Sequence, residues 1–128
     1  MSYLFIALSY LIGSINFAYI VAKYKRLDIS SSGSGNPGTS NVMRTIGKKY
    51  AAIVLIGDVL KGFLPVFLFD DNLLLCGFAA VIGHIYPIFY KFKGGKGVAT
   101  FIGILFALSL SSAIIFIFSW LLAAFISK

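Results

Sequence analysis

SYLFIALSYLIGSINFAYIVA, residues Ser2 to Ala22, holds no charged side chain, and at ~1.5 Å rise per residue a helix of that length crosses the ~30 Å hydrocarbon core of a bilayer. No basic segment precedes it and no A-x-A-like cleavage site follows it, so it reads as a retained helix and not as a signal peptide. Three more apolar stretches succeed it, at about Tyr50 to Phe69, Leu73 to Tyr90 and Val98 to Ser127. The last exceeds the ~20 residues that a crossing needs. It either breaks at Ser109, Ser111 and Ser112 into a short helix and a second one, or continues as a single tilted helix. Of the 128 residues, 59% are hydrophobic and 12% charged, more apolar surface than a water-soluble core of this size can hide. The expected fold is an all-α integral membrane protein, a polytopic bundle of about four to five transmembrane or half-membrane helices. Residues 1–128 are expected to form a single transmembrane domain.

The net charge of +7 sits between the apolar runs and not on one face of a soluble domain, which excludes a nucleic-acid binder of the ordinary kind. The first connecting loop holds Lys23, Lys25, Arg26, Arg44, Lys48 and Lys49, and the loop after the third span holds Lys91, Lys93 and Lys96. The connection between them is Asp70, Asp71 and Asn72. The positive-inside rule therefore expects both basic loops in the cytoplasm and the N-terminus outside. Tyr3, Tyr24, Tyr50, Tyr86 and Tyr90 fit interfacial belts, and Cys76, the single cysteine, lies inside a span as a small apolar residue.

Gly33-Ser34-Gly35-Asn36-Pro37-Gly38-Thr39-Ser40-Asn41-Val42-Met43-Arg44 formally matches G-x-G-x-x-G. That fingerprint works only between a strand and a helix, and Thr39 stands where a P-loop needs lysine, so neither nucleotide motif applies. What remains is physical: glycines permit positive φ and expose backbone N–H groups, so the loop can fold as a nest around an anion. Ser34, Asn36, Thr39, Ser40 and Asn41 add side-chain donors, and Arg44 adds a forked cation suited to phosphate. Lys93-Gly94-Gly95-Lys96-Gly97-Val98-Ala99-Thr100 runs into an apolar helix, where free N–H groups, the helix dipole and Lys96 make a second anion site. A solvated turn accounts for the first loop less well than anion binding does, and a simple positive anchor needs the second loop's lysines but not its glycines. Two such loops on one face suit a substrate, or a pair of substrates, carrying more than one phosphate.

An ionisable side chain at mid-bilayer costs at least ~2.5 kcal/mol and needs a partner or a role. Asp58 and Lys61, three apart on one helix, can neutralise each other, as an internal brace or with a direct role in chemistry. His84 is the only histidine, either a buried hydrogen-bonded residue or a substrate contact. The chain holds no glutamate and no cluster of metal ligands, so hydrolysis by paired carboxylates or zinc is not expected, nor is any metal or other cofactor. A pre-activated phosphorylated substrate suits these residues, since its reaction needs positioning and charge stabilisation more than a strong base.

These motifs resemble those of the bacterial membrane acyl-phosphate:glycerol-3-phosphate acyltransferases. The resemblance runs from Gly13-Ser14-Ile15 through Gly33-Ser34-Gly35-Asn36, Asn41 and Arg44, then Gly57-Asp58 with Lys61-Gly62, then Gly83-His84 to Lys93–Thr100. It implies transfer of an acyl group from acyl phosphate to the 1-hydroxyl of glycerol 3-phosphate, giving lysophosphatidate. It implies too a bacterial plasma or inner membrane setting, contact with membrane lipids, and a soluble enzyme that makes the acyl phosphate. By similarity, Ser34, Arg44 and Lys96 match the functional serine, arginine and phosphate-binding lysine. Gly33, Gly35, Asn36, Gly38, Thr39, Asn41, His84, Lys93, Gly94, Gly95 and Gly97 are the expected substrate-binding residues. Two departures stand out: Ser31-Ser32 replace residues that are commonly charged, and the family's third motif, a histidine and an asparagine, is missing beyond Lys128, so a C-terminally shortened form is expected. The competing classes are a membrane protein that binds or transports phosphorylated lipid or anion, and an assembly factor with no chemistry.

Overall fold

A computed structural model describes residues 1–128, and it is helical with no strand. The helices are α1 (Ser2–Ser14), α2 (Phe17–Tyr24), α3 (Thr39–Thr45), α4 (Lys48–Leu68), α5 (Leu73–Ile85), α6 (Val98–Leu108) and α7 (Leu110–Ile126). One-turn 3-10 helices lie at Ile29–Ser31 and Ile88–Tyr90. Three segments, Ser2–Tyr24, Lys48–Leu68 and Leu73–Tyr90, are long and apolar enough to cross a membrane. Isoleucine, leucine and phenylalanine side chains lie exposed along all the longer helices, as lipid-facing surfaces require.

The final apolar run does break at the serines: Ser109 is extended (φ −165°, ψ 120°), and its hydroxyl accepts the N–H of Ser112 to cap α7. The first run, read as one continuous helix, is corrected. It stops at Ser14 and restarts at Phe17, because the buried Asn16 carboxamide accepts the N–H of Tyr19 at 3.0 Å and caps a new helix. Backbone groups freed inside a bilayer need partners, and one comes from α4, where Lys61 Nζ donates to the Ile15 carbonyl at 2.7 Å.

Helices pack here by backbone approach. A Cβ at Gly13 would lie 2.1 Å from the Ala80 carbonyl and one at Gly83 would lie 2.3 Å from the Tyr10 carbonyl, so α1 and α5 meet through small residues. Likewise Gly62 faces the Thr100 carbonyl and Gly103 the Val59 carbonyl, each leaving 1.9 Å for an added Cβ, which fixes α4 against α6. At one end Phe5 stacks on Phe69 and the Ser2 hydroxyl donates to the Asp71 carboxylate. At the other, Ala18, Val21, Ala22, Ile29, Val42, Ala51 and Val54 form an apolar core beneath the first loop. Helix α7 packs on α6 and buries only Ala113.

Candidate active site

The first loop is folded by its own polar groups. The buried Asn41 carboxamide accepts the Ser34 N–H at 3.0 Å and donates to the Ser32 carbonyl at 3.0 Å, tying the loop to the start of α3. Gly33 (φ +55°) turns directly over it, where a Cβ would lie 2.2 Å from Asn41 Oδ1. Gly35 N–H donates to the Ser32 carbonyl at 2.9 Å, Gly38 N–H to the Asn36 carbonyl at 3.0 Å, and Asn36 N–H reaches the Ser34 hydroxyl at 3.4 Å. Gly38 precedes α3, Thr39 begins it with a buried hydroxyl, and Arg44 sits exposed in its last turn. The N–H groups of Ser34, Gly35, Asn36 and Gly38 are thus engaged within the loop, the start of α3 after Gly38 has no side-chain cap, and the Asn41 amide works as the loop's internal brace.

The second loop is held by α5. Gly94 N–H donates to the Ile85 carbonyl at 3.0 Å and Gly95 N–H to the His84 carbonyl at 3.2 Å. Those glycines permit contact: a Cβ at Gly94 would lie 1.9 Å from the His84 carbonyl, and one at Gly95 would lie 2.4 Å from His84 Nε2. Their N–H groups are therefore not free for an anion, as sequence had suggested. The free amides belong to α6, which starts after Gly97 (φ +85°) with no side-chain cap, beside the exposed Lys96.

The two loops, more than fifty residues apart in sequence, meet. Together they line an open depression of about 520 Å³ formed by Tyr19, Ser30, Ser34, Gly35, Asn36, Pro37, Lys93 and Gly94. Five of the expected site residues, Ser34, Gly35, Asn36, Lys93 and Gly94, stand on its wall. Arg44 and Lys96 lie outside that lining on the exposed surface, while Asn41, Gly38, Gly95, Gly97 and His84 are buried behind it. Tyr19 and Ser30 are walls that sequence reasoning missed. The Tyr19 hydroxyl donates to the Lys93 carbonyl at 2.8 Å and its ring stacks on Tyr90 at 4.6 Å, clasping α2 to the second loop. Only the break at Asn16 aims Tyr19 this way, and one tyrosine within an apolar run gave no signal of it.

Lys93 is the basic residue on the wall of the depression, and Lys25 lies 5.0 Å over the Tyr50 ring. The one acid in the first loop, Asp28, is committed to structure. Its carboxylate accepts the Ser30 hydroxyl at 2.5 Å and the Ser30 N–H at 3.0 Å, and these bonds lower its pKa below the ordinary aspartate value. A depressed folded pKa means that Asp28 stabilises the turn above the unfolded value of 3.8 and loses that contribution as pH falls through the folded value. Amide exchange at Ser30 is accordingly expected to be flat from pH 7 down to about 4, once corrected for intrinsic rates, and to accelerate below it. An Asp28→Asn chain should show no such step; a step that persists in it assigns the titration elsewhere.

Residues 3–128 match the family model described as glycerol-3-phosphate acyltransferase. A protein of that name from Aquifex aeolicus (strain VF5) is 46% identical over 88% of this chain and 62% of its own length. Another, from Neisseria meningitidis serogroup C (strain 053442), is 46% identical over 94% of this chain and 66% of its own. This chain therefore spans less than two thirds of those relatives. The crystal structure of PlsY (YgiH), an integral membrane glycerol 3-phosphate acyltransferase in its glycerol 3-phosphate form, superposes with TM-score 0.91 at 42% identity, covering 99% of this chain and 66% of that one. Its lysophosphatidic acid form gives TM-score 0.86 at 43% identity, covering 94% and 63%. With its broken first span, paired glycine loops and match over nearly its whole length, the chain is an integral membrane protein and belongs to the glycerol-3-phosphate acyltransferase family.

Proposed function

We propose that this chain transfers an acyl group from acyl phosphate to the 1-hydroxyl of glycerol 3-phosphate, with residues 1–128 acting as one transmembrane domain and without metal or other cofactor. The observation that carries the reading is the meeting of two distant basic glycine loops at one open polar depression. Family membership supplies the reaction class, and relatives solved with glycerol 3-phosphate and with lysophosphatidic acid supply the acceptor and product. The basic end faces the cytoplasm of a bacterial plasma or inner membrane with the N-terminus outside, in line with the cation-rich loops and the Asp70, Asp71 turn opposite. A soluble enzyme delivers the acyl phosphate to that side.

In this reading Arg44, as a forked cation, and Lys96, as a point charge, reach over the depression to hold the two phosphates. Ser34 hydrogen-bonds the reacting carbonyl, and the α6 amides add positive potential. Gly33, Gly35, Asn36, Gly38, Thr39, Asn41, Lys93, Gly94, Gly95, Gly97 and His84 shape and line the substrate site. The acceptor hydroxyl oxygen bonds to the acyl carbon, the acyl–phosphate bond breaks, and inorganic phosphate leaves. The hydroxyl proton passes to a substrate phosphate oxygen, since no protein base lines the depression. The acyl chain lies in lipid against the exposed helix faces.

Membranes containing this chain, given acyl phosphate and labelled glycerol 3-phosphate, are expected to form labelled lysophosphatidate. Label that enters sealed vesicles and stays water-soluble makes the protein a transporter instead. No product and no uptake overturns the enzyme reading for residues 1–128.

A further inference from the structure

Three ionisable side chains lie buried between α4, α5 and the break in the first span, behind the depression and outside its lining. Lys61 Nζ is 2.9 Å from Asp58 Oδ1, His84 Nδ1 is 3.7 Å from the same oxygen, and each side chain is at most 4% exposed. Two contacts lead outward from this cluster. Lys61 donates to the Ile15 carbonyl at the C-terminal end of α1, where a cation also opposes the helix dipole. That bond fixes the point at which α2 departs, and α2 carries Tyr19 to the Lys93 carbonyl. On the opposite side the His84 ring fills the space under Gly95, and its carbonyl accepts the Gly95 N–H. Both walls of the depression thus trace back to one buried charge cluster through different elements.

We propose that Asp58, Lys61 and His84 are positioning residues that set the spacing of the two loops, and so the fit of the glycerol 3-phosphate phosphate between them. As a statement about substrate fit this rests on the function proposed above; as a statement about loop position it does not. A simple brace would hold the bundle together and leave loop geometry to the loops. A relay makes the loop at residues 93–97, which meets His84, depend also on the Asp58 and Lys61 charges behind that ring.

The test is the paired variant Asp58→Asn with Lys61→Met, which removes both charges together and leaves neither buried alone. Hydrogen exchange across residues 91–98 is expected to quicken by about tenfold while exchange in α7 is unchanged. KM for glycerol 3-phosphate is expected to rise by about tenfold with kcat within about threefold. A folded paired variant with unaltered exchange at 91–98 overturns the proposal. If the paired variant does not fold, Tyr19→Phe removes only the hydroxyl that joins α2 to Lys93 and carries the same expectation; unchanged exchange there overturns it equally. Quickened exchange in a protein whose unmodified form makes no lysophosphatidate upholds the relay and overturns the acyltransferase reading.

Discussion

Arg44→Ala and Lys96→Ala are each expected to lower kcat/KM for acyl transfer by about 10²- to 10³-fold, the usual cost of deleting a cation that opposes developing charge. Both side chains are exposed, so neither substitution should disturb folding. The two positions should respond differently to exchange of cation type. Arg44→Lys loses the planar fork that grips two phosphate oxygens and should recover little, whereas Lys96→Arg keeps a cation beside the uncapped start of α6 and should recover more. Initial rates over a range of both substrates measure this. Alanine variants within about threefold of the parent would place the phosphates elsewhere, and the exposed position of both residues outside the depression lining makes this a demanding trial of the proposed mechanism.

Gly103→Val is expected to remove most of the folded protein. A Cβ there sits 1.9 Å from the Val59 carbonyl and 3.0 Å from the Phe63 N, both of them backbone atoms of α4 that cannot rotate aside. Helices α4 and α6 must then separate along one of the most extensive contacts in the molecule. Overpacking typically costs about 1–3 kcal/mol and more where the neighbour is rigid backbone, as here, a large fraction of the about 5–15 kcal/mol that holds a domain folded. Ile115→Ala, on an exposed face of α7, is the control and should accumulate normally. Detergent-extracted yield and thermal unfolding compare the two; equal yields would mean that the α4–α6 contact is looser than its geometry implies.

Sequence reading located the membrane segments because they are runs of apolar side chains, and it placed the Ser109 break because three serines cluster there. It missed the break at Ile15–Asn16. One carboxamide inside a long apolar run resembles noise until Lys61, 46 residues after Ile15, is seen to satisfy the freed Ile15 carbonyl. The same distance effect hid the purpose of Gly94 and Gly95. Glycine before a helix suggests free N–H groups, but these two approach the α5 carbonyls of His84 and Ile85. That Ser34, Gly35, Asn36, Lys93 and Gly94 share one depression was legible in part because each loop holds its own members close together, whereas Tyr19 arrives from a helix whose direction only the tertiary structure sets.

The bond from Lys61 to the Ile15 carbonyl also imposes an order on biogenesis. Each mid-helix charge that α4 carries costs about 2.5–3.5 kcal/mol to insert into a bilayer. The first segment leaves the ribosome earlier, so its broken end already offers a carbonyl when α4 emerges, and His84 on α5 follows within the next segment. A chain deprived of residues 2–24 sends α4 to the translocon with an ammonium that has lost its backbone acceptor.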